Sequence, residues 1–258
     1  MAYRLEDLMD IVARLRGEGG CPWDREQTIE SLRPYVVEEA YEVSDAAKEG
    51  GQHLAEELGD LLLQVVMMAQ IGTEQGTFGM DDVLRQVCEK MVRRHPHVFG
   101  EVQADTAEQV LKNWDEIKKQ ERGQTKTSQL MQDVSASLPA LLYAEKVQKR
   151  AAKVDFDFSS AKEALQKLRE EVDELEEALE GGQPEKVSLE FGDVLFAAVN
   201  VGRLGSVPPE VALRDSTAKF IRRFCFMEEQ AEKKGRDLAD MTMAEMDEIW
   251  EEAKANGL

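Results

Sequence analysis

The sequence predicts an all-α protein made by tandem duplication of one helical unit, and three observations carry that reading. Apolar residues recur at three-four spacing through most of the chain, first at Leu5, Leu8, Ile11, Val12 and Leu15, then at Leu54, Leu58, Leu61, Leu62 and Val65. Strand-like alternation is almost absent. Five landmarks then occur twice in one order. EEAYE (38–42), a break at KEGG, ELGD (57–60), KMVRR (90–94) and WDEIK (114–118) are answered by EEVDE (170–174), a break at EGGQP, EFGD (190–193), KFIRR (219–223) and WEEAK (250–254). The offsets between matching positions are 132, 133, 129 and 136 residues, nearly constant, as duplication requires.

Glycine- and proline-rich punctuation divides the first half into four or five helices. It falls at GEGGCPWD (17–24), KEGGQ (48–52), GTFG (76–79) and HPHVFG (95–100). After residue 121, RGQTKTSQLMQDVSAS is polar and poor in large apolar side chains, which reads as a linker over 122–137. The expected domains are therefore 1–121 and 138–258, each long enough for a core of its own.

Acidic residues number 52 against 32 basic, a net charge of -20, which argues against general affinity for nucleic-acid phosphates or anionic membrane and favours cations. The longest uncharged run, LLLQVVMMAQIGT, is shorter than the roughly 18 to 20 apolar residues of a membrane span. The amphipathic N-terminus is unlike a signal peptide. Cys21, Cys88 and Cys225 have an odd count and no CxxC spacing, so a disulfide framework or zinc knuckle is not expected; a reducing cytoplasm is.

The repeated acids are the chemical feature. Glu39 with Glu42 and Glu57 with Asp60 lie three apart, each pair on one helical face; Glu171 with Glu174 and Glu190 with Asp193 repeat this. Gaps of 14 and 15 residues between the pairs suit an antiparallel helical hairpin turning at Gly-Gly, with the two carboxylate pairs facing each other. ELGD and EFGD each open an apolar run that reads as a buried helix. Four converging carboxylates repel, and a hard divalent cation relieves them. Oxygen-only ligation favours Mg2+, or Mn2+, over zinc. A solvated acidic face is the bland alternative, and duplication weighs against it. A di-iron bundle needs Glu-x-x-His, which His53, His95 and His97 do not supply; His95 and His97, beside a turn, read as caps or packing.

Basic clusters complete a phosphate site. Lys90, Arg93 and Arg94, and again Lys219, Arg222 and Arg223, place cations on one helical face. Trp114 with Lys118, and Trp250 with Lys254, set an aromatic plane beside a cation, either as packing or as a stacking surface. Aligned on the glutamates, the second copy has Lys167, Arg169 and Lys186 where the first has Tyr35, Val37 and His53. The second copy is thus better equipped for a triphosphate.

EExxE followed by ExxD in a duplicated helical chain, with CPWDREQT and SLRPYVVEEAYE upstream, resembles the MazG family of nucleoside triphosphate pyrophosphohydrolases, in the all-α NTP pyrophosphatase superfamily. The resemblance spans essentially the whole chain. It implies magnesium-dependent hydrolysis of a nucleoside triphosphate to monophosphate and pyrophosphate, by water attack on the α-phosphorus, in the C-terminal copy. It implies metal ligands Glu171, Glu174, Glu190 and Asp193, with Glu39, Glu42, Glu57 and Asp60 as the weaker second site. Triphosphate contacts would come from Lys167, Lys186, Lys219, Arg222 and Arg223, with Trp250 and Lys254 near the nucleotide. Glu170 or Glu171 is the candidate base, and sequence does not separate base from ligand. The family also implies dimers whose paired hairpins complete four-helix cores. A phosphohydrolase releasing the terminal phosphate and a non-catalytic metal-binding helical protein are the alternative functions.

Overall fold

The computed structural model describes residues 2–122 and 126–258; the side chains of residues 115, 118–120, 122 and 127 lie outside that description, and with them Lys118 of the Trp114 pair and part of the expected linker. The described residues form helices and no strands. The chain divides into two compact units, Met1–Glu121 and Arg122–Leu258. No helix among the described residues is long and apolar enough to cross a membrane.

Unit 1 contains α1 (Leu5–Arg16), α2 (Pro22–Glu26), α3 (Ile29–Ala46), α4 (Gly51–Glu74), α5 (Met80–Arg94), α6 (Pro96–Phe99) and α7 (Ala107–Arg122). Thr28 starts α3 through a capping box: its hydroxyl accepts from Ser31 N at 3.1 Å and Ser31 Oγ accepts from Thr28 N at 2.9 Å. The turn from α3 to α4 is made by Gly50 and Gly51 at φ 70° and 65°, backbone that a side chain would strain. α3 then packs antiparallel along α4, and α1 and α5 also pack against α4. The core joins Val12, Leu32, Val66, Met67, Ala69, Ile71 and Met80, from α1, α3, α4 and α5. Burial of a residue such as Leu32 is worth about 2 kcal/mol.

Unit 2 contains α8 (Thr127–Gln132), α9 (Ala140–Ala151), α10 (Ala161–Gly181), α11 (Pro184–Leu204), α12 (Pro209–Lys233) and α13 (Met243–Ala255). Ser160 caps α10 by accepting from Glu163 N, and Gly182 at φ 64° ends it. α10 and α11 form the second long hairpin, with α9 against α11 and α12, and α13 against α12. Met227, Ala231, Met241 and Ile249 make the core between α12 and α13. The segment read as a linker is partly folded: α8 packs on α9, with Leu130 and Val134 buried.

The runs after ELGD and EFGD are less buried than their composition suggests. Val66, Met67, Ala69 and Ile71 are buried in α4, yet Leu58, Leu62 and Val65 are exposed, as are Leu189, Phe191, Leu195 and Phe196 of α11. A single hairpin covers one side of such a helix and leaves the other uncovered.

Candidate metal and nucleotide site

Each hairpin carries its acids where the two helices face each other. In unit 1, carboxylate oxygens of Glu39 on α3 and of Glu57 and Asp60 on α4 all lie within 4.8 Å of one another. In unit 2 the group is Glu171 and Glu174 on α10 with Glu190 on α11, at the same spacing. Two members are equivalent by the repeat, Glu39 with Glu171 and Glu57 with Glu190. The third differs: ELGD supplies Asp60 in unit 1, and EExxE supplies Glu174 in unit 2. The expected quartets are thus gathered as trios, with Glu42 and Asp193 outside them. Glu42 remains close enough to Glu39 to act on it.

The electrostatics of the first trio are those of a repulsive cluster. Burial, then the charges of Asp60 and Glu42, push the Glu39 carboxyl above its ordinary 4.5, and Gln64, whose Nε2 is 3.5 Å from Glu39 Oε1, offsets part of this. His53 Nε2 lies 3.2 Å from Glu57 Oε1 and Nδ1 lies 3.1 Å from Glu49, so the first copy's nearest cation is titratable. In unit 2 a lysine takes that part: Lys167 Nζ is 2.9 Å from Glu171 and 3.3 Å from Glu170. Hydrogen bonds to Glu171 and Glu170 raise the Lys167 pKa, holding the ammonium charged against both acids. Lys167, expected to meet a triphosphate, is here an ion-pair partner of the carboxylates.

The other expected nucleotide residues divide into two groups. Arg169, Lys186, Lys219 and Arg222 are exposed on α10, α11 and α12. Arg223 turns toward α13, lying 5.4 Å from the Trp250 ring centroid and donating from Nε to Leu258 O at 2.8 Å. Trp250 also meets Phe220 at 5.2 Å, and Lys254 pairs with Glu251 at 2.6 Å. In unit 1, Arg93 and Arg94 both donate to Glu121 at 2.6 Å. His95 packs edge-on against Trp114 at 4.9 Å, the packing role its place beside a turn suggested. Sequence reasoning missed Gln64, seven residues beyond Glu57 on the same face of α4, and Glu121, two turns beyond Trp114 on α7. Those spacings were the available signals.

The description "MazG nucleotide pyrophosphohydrolase domain" matches the chain twice, at residues 27–99 and 159–225. The chain belongs to the MazG family. Each matched segment contains one carboxylate hairpin and the basic helix after it, so the internal repeat is a repeat of MazG domains. Among relatives, the Thermotoga maritima "Nucleoside triphosphate pyrophosphohydrolase/pyrophosphatase MazG" is 45% identical over 96% of this chain and 95% of its own length. The Escherichia coli "Nucleoside triphosphate pyrophosphohydrolase" is 41% identical over 97% of each. Both likenesses run through the two MazG copies and the segment between them.

Proposed function

We propose that this chain hydrolyses nucleoside triphosphates to the monophosphate and pyrophosphate, by water attack on the α-phosphorus at the C-terminal MazG copy. The observation that carries the proposal is the convergence of Glu171, Glu174 and Glu190 within 4.8 Å in a MazG domain whose relatives are named for this activity. An all-oxygen donor set under mutual repulsion fits Mg2+, with Mn2+ as substitute. Glu171, Glu174, Glu190 and Asp193 would hold it. Bound there, the ion supplies neutralisation of the phosphate charge and a more acidic water.

The chain's own residues do the rest. Glu170 or Glu171 takes the proton of the attacking water, and Lys167, bonded to both, positions them. The water oxygen bonds to the α-phosphorus while the bond to the α–β bridging oxygen breaks, and its electron pair leaves on pyrophosphate. Lys219, Arg222 and Arg223 neutralise the leaving group, with Arg169 and Lys186 adding positive potential at the hairpin. Trp250 backs Arg223, and Lys254 extends that edge toward the nucleotide. The N-terminal copy, with Glu39, Glu42, Glu57 and Asp60, binds metal without turning over, because its arginines are held by Glu121 and its aligned positions lack the lysines. Two chains pair through the uncovered faces of α4 and α11, and the three free cysteines suit a reducing cytoplasm.

Incubation with a panel of ordinary and deaminated triphosphates plus Mg2+, with products separated by chromatography, tests the reading. Monophosphate and pyrophosphate in equal amounts are expected. Orthophosphate as the first product refutes it in favour of terminal-phosphate release, and magnesium-induced stabilisation without turnover points to the binding protein.

A further inference from the structure

The two basic clusters differ in what holds them. Arg93 and Arg94 are successive residues of α5, and both guanidiniums converge on one carboxylate, Glu121 of α7. Arg94 donates to Glu121 Oε2 from Nη2 at 2.6 Å and from Nε at 3.2 Å, and Arg93 Nε donates to Oε1 at 2.6 Å. Both oxygens of the acid are therefore engaged, as two oxygens of a phosphate would be between a pair of guanidiniums. In unit 2, Arg222 has no ion pair among the described residues, and Arg223 makes one hydrogen bond, from Nε to Leu258 O. The offset of 136 between the tryptophans places Gly257 at the position of Glu121, so that copy brings no acidic side chain there.

The surroundings of the pair are those of a covered site. Solvent reaches it: the Arg93 side chain is 54% exposed, and those of Arg94 and Glu121 are 20% and 19% exposed. Lys90, one turn before Arg94 on α5, adds a cation with no ion pair among the described residues. α5 packs against α4, which carries Glu57 and Asp60 of the first carboxylate trio. The N-terminal copy thus keeps an acidic hairpin and a basic helix packed on it, with a carboxylate of its own chain seated on the arginines. An acid held in place by a folded helix competes with a free anion at an effective concentration on the order of millimolar or above. Trp114 against His95 gives α7 a second attachment, so Glu121 can leave the arginines while α7 stays docked.

We propose that Glu121 is an internal stand-in for phosphate that closes the N-terminal copy, and that this copy takes up a magnesium-bound polyphosphate once the carboxylate is removed. For its class of ligand the inference rests on the pyrophosphohydrolase reading of the C-terminal copy. It goes beyond that reading by assigning the N-terminal copy a masked binding site.

Equilibrium dialysis of the full chain with Mg2+ and the α,β-methylene analogue of ATP, whose α–β bridge does not hydrolyse, counts the tight sites. Wild type is expected to bind about one analogue per chain and Glu121→Gln about two, the N-terminal site gaining on the order of tenfold or more in affinity as its tethered competitor is lost. Adding Arg93→Ala and Arg94→Ala to Glu121→Gln is expected to return the count to that of wild type. The inference is overturned by a count unchanged in Glu121→Gln, by both sites being present already in wild type, or by a second site that survives loss of both arginines. Circular dichroism accompanies the count. Glu121 lies on an exposed helix surface, and a Glu121→Gln variant that loses its helices also overturns the inference, by showing that the ion pairs hold the fold and do not cover a site. The site gained on removing Glu121 reads the inference, and the site present in wild type reads the proposed function, so each can fail alone.

Discussion

Glu121 on α7 accepts from the Arg94 guanidinium on α5 at 2.6 Å, and Arg93 reaches its other oxygen at the same distance. Hydrogen bonds from Arg94 and then Arg93 hold the Glu121 carboxyl at about 2, well below its ordinary 4.5. A depressed acid stabilises the fold above its unfolded pKa, and that stability is lost as pH falls toward the folded value. Glu121→Gln is therefore expected to cost about 1 kcal/mol at neutral pH, with the deficit shrinking between pH 4.5 and about 2. Urea midpoints for both proteins across that window check it. A deficit that grows on acidification contradicts the pairing.

Glu39 has the opposite sign. Its carboxyl is raised by burial and by Asp60 and Glu42, so the metal-free fold is favoured with Glu39 protonated, and that advantage is lost as pH rises through the folded value. Glu39→Gln is expected to raise the Tm of the metal-free protein at neutral pH and to lower the further rise produced by Mg2+. The gain disappears below the ordinary 4.5. Calorimetry with chelator and with Mg2+ measures both.

Much of this was legible in the sequence because it depends on local spacing. Helical periodicity, the Gly50–Gly51 turn and the pairing of EExxE with ExxD all lie within one hairpin. The third member of each trio was not legible, since Asp60 against Glu174 is a matter of side-chain rotamers, which identical spacing leaves undecided. Contacts between distant segments were equally hidden: Arg203 meets Asp157 across 46 residues, and Arg16 meets Glu74 across 58. α8 escaped because a six-residue helix carries too little periodicity to stand out from polar sequence.

Arg16 gives a prediction about the fold. Its side chain is 5% exposed, pairs with Glu74 at 2.8 Å, and donates to the carbonyls of Asp24 and Gln27, tying the CPWDREQT segment to α4. Arg16→Met removes the guanidinium from two carbonyls and a carboxylate, leaving Asp24 O with Gln27 N and Glu74 with Gln70 as donors, and is expected to cost about 2 kcal/mol. Chemical denaturation measures it, and a cost within error of zero shows that the segment is held by other contacts.

Metal binding at the second trio is tested apart from turnover. Glu190→Gln is expected to abolish the thermal stabilisation that Mg2+ gives unit 2 and to reduce turnover by about hundredfold or more. Glu57→Gln is expected to remove only the stabilisation belonging to unit 1. Turnover lost with Glu57→Gln and kept with Glu190→Gln would place the reaction in the N-terminal copy.

Hydrolysis in oxygen-18 water tests the central claim most directly. With a nucleoside triphosphate and Mg2+, one labelled oxygen is expected in the monophosphate and none in pyrophosphate, as attack on the α-phosphorus requires. Label in pyrophosphate, or release of labelled orthophosphate from the intact triphosphate, contradicts it.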